Sequence, residues 1–159
     1  MQPNSNGGRR CGGCMAKERD KYHARAARGE CTVCAAQATA GIFCFSHWLK
    51  NIGSFHKLNR RNGGLDMLRQ LWDRQHGTCA LTGVRLVPGT NASLDHIVPV
   101  SKGGPTVLDN LQWVLTDVNR AKFALSTVEF IALCRAVVLA ADFAAVESTS
   151  SQTRDTRSN

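Results

Sequence analysis

The spacing of apolar residues changes several times along the chain, and each change marks an element. Over 65–76, Leu65, Leu68, Leu71 and Trp72 recur at helical spacing, and Gly77 stands where such a helix would stop. Cys79-Ala-Leu-Thr-Gly83 reads as a turn. The pattern then shortens to alternation, predicting strands over 84–87 and 93–97 joined by Pro88-Gly89-Thr90-Asn91. A loop over 98–106 carries Gly103-Gly104-Pro105. Beyond it Leu111, Val114, Leu115 and Val118 fall on one side of a helix predicted over 108–123. Ser126-Thr-Val-Glu129 offers a capping box for another helix, whose Phe130, Leu133, Val137 and Ala141 are expected to pack inward.

The rest of the chain lacks this patterning. Residues 1–10, which are polar, and the Ser/Thr/Arg-rich tail 147–159 are both expected to be disordered. Between them lie a Cys-rich basic segment, 11–56, a linker-like stretch, 57–64, and the patterned domain, 65–146. The fold class expected is α+β: a small strand–strand–helix core flanked by helices and preceded by a Cys-rich module.

Charge sharpens this division. The net charge is +8, and residues 1–62 hold 11 Lys/Arg against 3 Asp/Glu, whereas 63–159 hold 9 against 9. The whole excess lies on the Cys-rich side, as expected of a segment that grips nucleic acid. Lys17, Arg19, Lys21, Arg25 and Arg28 share one short basic stretch, and Lys57, Arg60 and Arg61 extend the track toward the patterned domain. These side chains are expected to meet phosphates and add affinity rather than sequence readout. The first residues lack the apolar core of a secretory signal, and the apolar run 136–141 is far too short to span a bilayer. An intracellular, cytoplasmic protein without a membrane partner is therefore expected.

In a reducing compartment, cysteines serve as metal ligands or buried thiols more often than as disulfides. Of the seven, Cys79 and Cys134 are expected to be buried thiols. The others form Cys11-x2-Cys14, Cys31-x2-Cys34 and Cys44-x2-His47. Two such pairs close a tetrahedral zinc site. Cys31, Cys34, Cys44 and His47 make the tightest set, with nine residues between the pairs. Cys11, Cys14, Cys31 and Cys34 form the rival set. So few large apolar residues over 11–56 make structural Zn²⁺ the expected organiser of that segment.

The remaining chemistry-bearing residues are Leu94-Asp95-His96-Ile97-Val98-Pro99, Gly103-Gly104, Asn110-Leu111-Gln112 and Asn119-Arg120-Ala121-Lys122. A carboxylate, an amide oxygen and an imidazole are groups that phosphodiester hydrolysis can use: hard oxygen ligands for Mg²⁺ or Mn²⁺, and a proton acceptor. Neighbouring residues on a strand point to opposite faces, so Asp95 and His96 need a strand end or bend to serve one site.

This arrangement resembles the HNH endonuclease family, in the variant whose last motif position is Asn, over about residues 68–134. The resemblance implies a ββα-metal nuclease fold. It implies His96 as general base, Asn110 as the residue holding the loop that orients it, and Asp95 and Asn119 as metal ligands. Lys122, one helical turn beyond Asn119, is expected to reach the scissile phosphate. Many relatives carry two further Cys-x-x-Cys pairs around the active site. Here Cys79-Ala-Leu-Thr82 stands in place of the first, and Val118 and Ala121 flank the last Asn, so the chain resembles a zinc-free subgroup in this part. The function implied is hydrolysis of DNA, in the manner of phage or homing enzymes. The alternatives are a non-catalytic zinc-containing nucleic-acid-binding protein, or a nuclease acting on RNA or branched DNA.

Overall fold

The computed structural model describes residues 12–58 and 63–152, with side chains over 15–58 and 63–142. Five helices and a two-stranded sheet follow in the order α1 (Gly12–Ala27), α2 (Phe45–Phe55), α3 (Gly64–Arg74), β1 (Ala92–His96), β2 (Leu111–Leu115), α4 (Thr116–Lys122) and α5 (Thr127–Gln152). This is an α+β chain. The strands are antiparallel, pairing Leu94 with Trp113, Asp95 with Gln112 and His96 with Leu111.

The helix expected over 65–76 is present as α3. The strand expected over 84–87 is not formed, and only an isolated bridge between Thr78 and Arg85 remains there. The second strand lies instead at Leu111–Leu115, inside the stretch that reads as a helix. Its apolar residues fit both periods, because a strand buried on both faces shows a continuous apolar run. Leu111, Gln112, Trp113 and Val114 are all buried. The helix that follows is correspondingly short.

Each face of the sheet has its own partner. Leu94, Leu111 and Trp113 face a core shared with α2 and α3. Trp48 of α2 stacks on Trp113 at 4.9 Å between ring centroids, and Trp72 of α3 meets both edge-on at 5.4 and 5.5 Å. Such aromatic pairs add roughly 0.5–1.5 kcal/mol each beyond burial. Trp48 and Leu49 therefore place the end of the Cys-rich segment in the same core as the patterned domain. The stretch 57–64, of which residues 59–62 lie outside the described residues, does not divide that core. Gly53 of α2 also permits this packing, since a Cβ there would stand 2.6 Å from the Leu58 carbonyl oxygen.

The other sheet face carries Ser93, Asp95, Gln112 and Val114, and α4 lies against it. Helix α5 departs from expectation. Its capping box forms: Ser126 N–H donates to Glu129 Oε2 at 2.7 Å, and Glu129 N–H donates back to Ser126 Oγ at 3.3 Å. Its inward face does not form. Leu133 and Val137 are 52% and 61% exposed, Ala141 and Cys134 are exposed, and Phe130 is half-buried. No single helix among the described residues is long and apolar enough to cross a membrane.

Candidate metal knuckle and hydrolytic site

The first site is built from two tight turns and a helix start. Cys31 and Cys34 lie in a turn closed by hydrogen bonds from Ala35 N–H to the Cys31 carbonyl (2.9 Å) and from Cys31 N–H to the Ala36 carbonyl (2.6 Å). Ala35 has φ 62°, in the left-handed region that disfavours a Cβ. Cys44 is the N-cap of α2, and His47 occupies the first turn of that helix, three residues on. The four ligand atoms all lie within 4.8 Å of one another. Cys44 Sγ is 3.2 Å and Cys31 Sγ 3.5 Å from His47 Nδ1, and the Cys34 and Cys44 sulfurs are 3.8 Å apart. A tetrahedron with metal–sulfur bonds of about 2.3 Å has edges of about 3.8 Å. This cluster can hold a zinc ion.

The electrostatics agree with that geometry. Burial pushes the Cys31 thiol up, but backbone N–H groups of Cys44, Cys34 and Val33 more than offset it and bring its pKa to about 6. Burial, together with the neighbouring Cys34 and Cys31 sulfurs, raises that of Cys44. Gathering this many sulfurs without a cation is therefore unfavourable as they ionise. Of the rival set, Cys11 lies outside the described residues, as does the side chain of Cys14.

Around the cluster, the basic residues divide. Lys17, Arg19 and Lys21 are exposed on α1. Arg25 is half-buried, and its guanidinium donates to the carbonyls of Thr32 and Val33 at 3.1 and 3.0 Å, tying α1 to the first turn. Arg28 pairs with Glu30 at 2.8 Å, and Lys57 is exposed. Arg60 and Arg61 lie outside the described residues.

The second site is organised by β1, β2 and α4. Asp95 is 6% exposed and Lys122 fully buried. Lys122 Nζ donates to Asp95 Oδ1 at 3.1 Å and to the His96 carbonyl at 2.8 Å. Gln112 Nε2 donates to Asp95 Oδ2 at 2.8 Å and to Thr127 Oγ1 at 2.9 Å, linking the sheet to the start of α5. One turn back on α4, Asn119 Nδ2 donates to Ser93 Oγ at 2.7 Å and approaches the Leu94 carbonyl at 3.5 Å. No hydrogen bond reaches Asn119 Oδ1 among the described residues. Asp95, Asn119 and Lys122 thus meet the same strand from the same side. Lys122 is not at the surface as a phosphate contact would require; its ammonium is the internal counter-charge of Asp95.

His96 is the last residue of β1, but the strand end does not bring its ring round to the side of Asp95 and Asn119. Strand alternation turns its ring away from Asp95, toward the end of α2. Its Nε2 is 2.9 Å from Thr106 Oγ1, and its ring centroid is 5.6 Å from that of His56, the C-cap residue of α2. Burial lowers the His96 pKa below the ordinary 6.5; Asp95 opposes this and Lys122 adds to it. Burial and the neighbouring His96 lower that of His56 as well.

The loop that follows His96 is clamped by Asn110. Its Oδ1 accepts from Val98 N–H at 2.9 Å, and its Nδ2 donates to the carbonyls of Val98 at 3.0 Å and Pro105 at 2.8 Å. The clamp requires glycine at 104, where a Cβ would fall 1.8 Å from the Val98 carbonyl oxygen and 2.8 Å from Asn110 Nδ2. Asn110 and Gly104 are one device.

Three participants escape the sequence reading. Gln112 lines up with Asp95 only once residues 111–115 are a strand. Thr106 and His56 reach His96 through the loop and the end of α2, and no local pattern marks either. Compared with models of protein families and with curated proteins, the chain gives no match.

Proposed function

We propose that this protein is a metal-dependent endonuclease of the HNH type that hydrolyses DNA phosphodiester bonds, with a zinc knuckle that helps hold the DNA. The observation that carries this reading is the set Asp95, His96, Asn110 and Asn119 distributed over one strand–loop–strand–helix unit, with Asn110 clamping the loop behind His96. The donor set suits Mg²⁺ or Mn²⁺: a carboxylate and an amide oxygen are hard ligands, and such ions need only one or two from protein. Each Asp95 oxygen accepts one hydrogen bond and so retains a lone pair. In this reading Asp95 and Asn119 would hold a divalent cation, which would supply neutralisation of the phosphate charge and of the leaving 3′ oxygen. The scissile phosphate would span the strand end between that face and His96.

The chain's own residues account for the proton. With Thr106 Oγ1 accepting from Nε2–H, His96 keeps its lone pair on Nδ1 and can take a proton from the attacking water. Its lowered pKa keeps the ring neutral at pH 7. The water oxygen bonds to phosphorus as the P–O3′ bond breaks, and the departing O3′ takes a proton from solvent, leaving 5′-phosphate and 3′-hydroxyl ends. The exposed Lys17, Arg19 and Lys21 supply electrostatic affinity.

Incubation of the purified protein with supercoiled plasmid and Mg²⁺ or Mn²⁺ tests this directly. His96→Ala should lower cleavage by about 10²–10⁴-fold and leave DNA binding intact. Parallel RNA and branched-DNA substrates identify the nucleic acid preferred. A second reading, a non-catalytic zinc-containing nucleic-acid-binding protein, draws on one observation: Lys122 already neutralises Asp95. It requires that wild type and His96→Ala behave alike.

A further inference from the structure

Over Thr127–Asp142, helix α5 has apolar residues on every side and is largely uncovered. Val128, Leu133 and Val137 are 78%, 52% and 61% exposed, and Val138 and Leu139 are each 59% exposed. A helix apolar all round is ordinarily buried against something. One side already forms a wall: Ile131, Val138 and Leu139, with Leu81 and Val118 of the main body, line an open apolar groove of about 690 Å³.

The charges indicate what fills it. Between Thr127 and Asp142 the only charged residues are Glu129, Arg135 and Asp142. Glu129 is engaged in the capping box and in an ion pair with Lys102. Arg135 and Asp142 are exposed, of opposite sign, and have no ion pair among the described residues. They stand seven residues apart, two helical turns, and so share the side of the helix that bears Ile131 and Val138.

We infer that α5 is the interface of a homodimer in which two copies pack this helix antiparallel, each Arg135 meeting the partner's Asp142. The twofold axis then passes between positions 138 and 139, where the exposed Val138 of one copy faces Leu139 of the other. A patch that pairs with its own copy about a twofold axis defines an isologous interface. Lipid headgroups offer charges at no fixed spacing, and a generic apolar peptide has no opposite-sign pair at this one, whereas a second copy presents both charges at the matching separation. The inference stands apart from the proposed hydrolysis. If both hold, the dimer carries two hydrolytic centres and could cut two strands in one binding event.

Sedimentation of the full zinc-loaded chain tests it. Wild type should sediment as a dimer. Arg135→Asp or Asp142→Arg alone places like charges together and should weaken association ~100-fold or more. The double variant, Arg135→Asp with Asp142→Arg, should restore the dimer. Because both positions are exposed, circular dichroism of each variant should match wild type. A monomeric wild type, single variants that dimerise unchanged, or a double variant that stays monomeric would overturn the inference. So would co-flotation of wild type with neutral phosphatidylcholine vesicles in place of self-association.

Discussion

The two candidate ion sites solve opposite electrostatic problems. In the knuckle, three sulfurs and an imidazole converge with no cationic side chain among their hydrogen-bond partners. Around Asp95 the cation is built in: Lys122, fully buried, neutralises the carboxylate, and Gln112 satisfies its second oxygen. The knuckle therefore has a place for a cation that its own side chains do not supply, whereas the Asp95 site folds around its own counter-ion. A metal at the first site would be structural, and under the proposed function one at the second would be exchangeable. Burial sets the difference, because a buried charge is tolerated only when paired.

Removing zinc should produce the largest effect. Structural zinc is worth about 10–16 kcal/mol in small modules, comparable with a domain's entire stability of about 5–15 kcal/mol. Because Trp48 carries α2 into the common core, chelation or Cys44→Ser should disrupt more than residues 12–58. Near-ultraviolet circular dichroism of the tryptophan cluster should collapse together with the helical signal. Retention of the Trp48–Trp72–Trp113 signal after chelation would show that the core does not need the knuckle.

Lys122→Met should cost about 3–5 kcal/mol, because it strands a buried carboxylate. The comparison predicts a second consequence: part of that loss should return on adding millimolar Mg²⁺, read as a rise in Tm larger than in wild type. A variant as stable as wild type would mean that Asp95 is held by Gln112 alone.

The pH profile of cleavage probes the environment of His96. Under the proposed function the neutral ring is the active form, so the rate should rise as pH increases through its folded pKa, which burial places below 6.5. Cleavage should already be near its plateau at pH 7. A rise centred above pH 7 would contradict the base role in this setting. The smallest effect expected is at Ala35, whose φ of 62° suits glycine. Ala35→Gly should stabilise the zinc-loaded protein by about 1 kcal/mol, measured by denaturant unfolding.

Legibility differed between the sites for the same reason their physics differs. The ligands Cys31, Cys34, Cys44 and His47 are paired by local spacing, so a turn and a helix start bring each pair together. The chosen set converges in the structure. At the second site, the residue types were visible but not their partners. Lys122 stands one helical turn from Asn119, which suggests a shared outward face; the surrounding sheet buries it instead. His56 is forty residues from His96 in the chain and arrives only because α2 packs on Trp113.

By itself the sequence determined what short-range forces decide: the knuckle pairs, helix α3, the capping box of α5, and a glycine-bearing loop after β1. Tertiary structure alone decided that residues 111–115 form a strand. Gln75 accepts from the Trp113 N–H at 2.8 Å and donates to its carbonyl at 2.9 Å, thirty-eight positions away. That local apolar pattern suits helix and strand alike, so distant backbone partners and burial on both faces chose between them. The same long-range packing merged the Cys-rich segment with the main core and left α5 uncovered, outcomes that no window of neighbouring residues encodes.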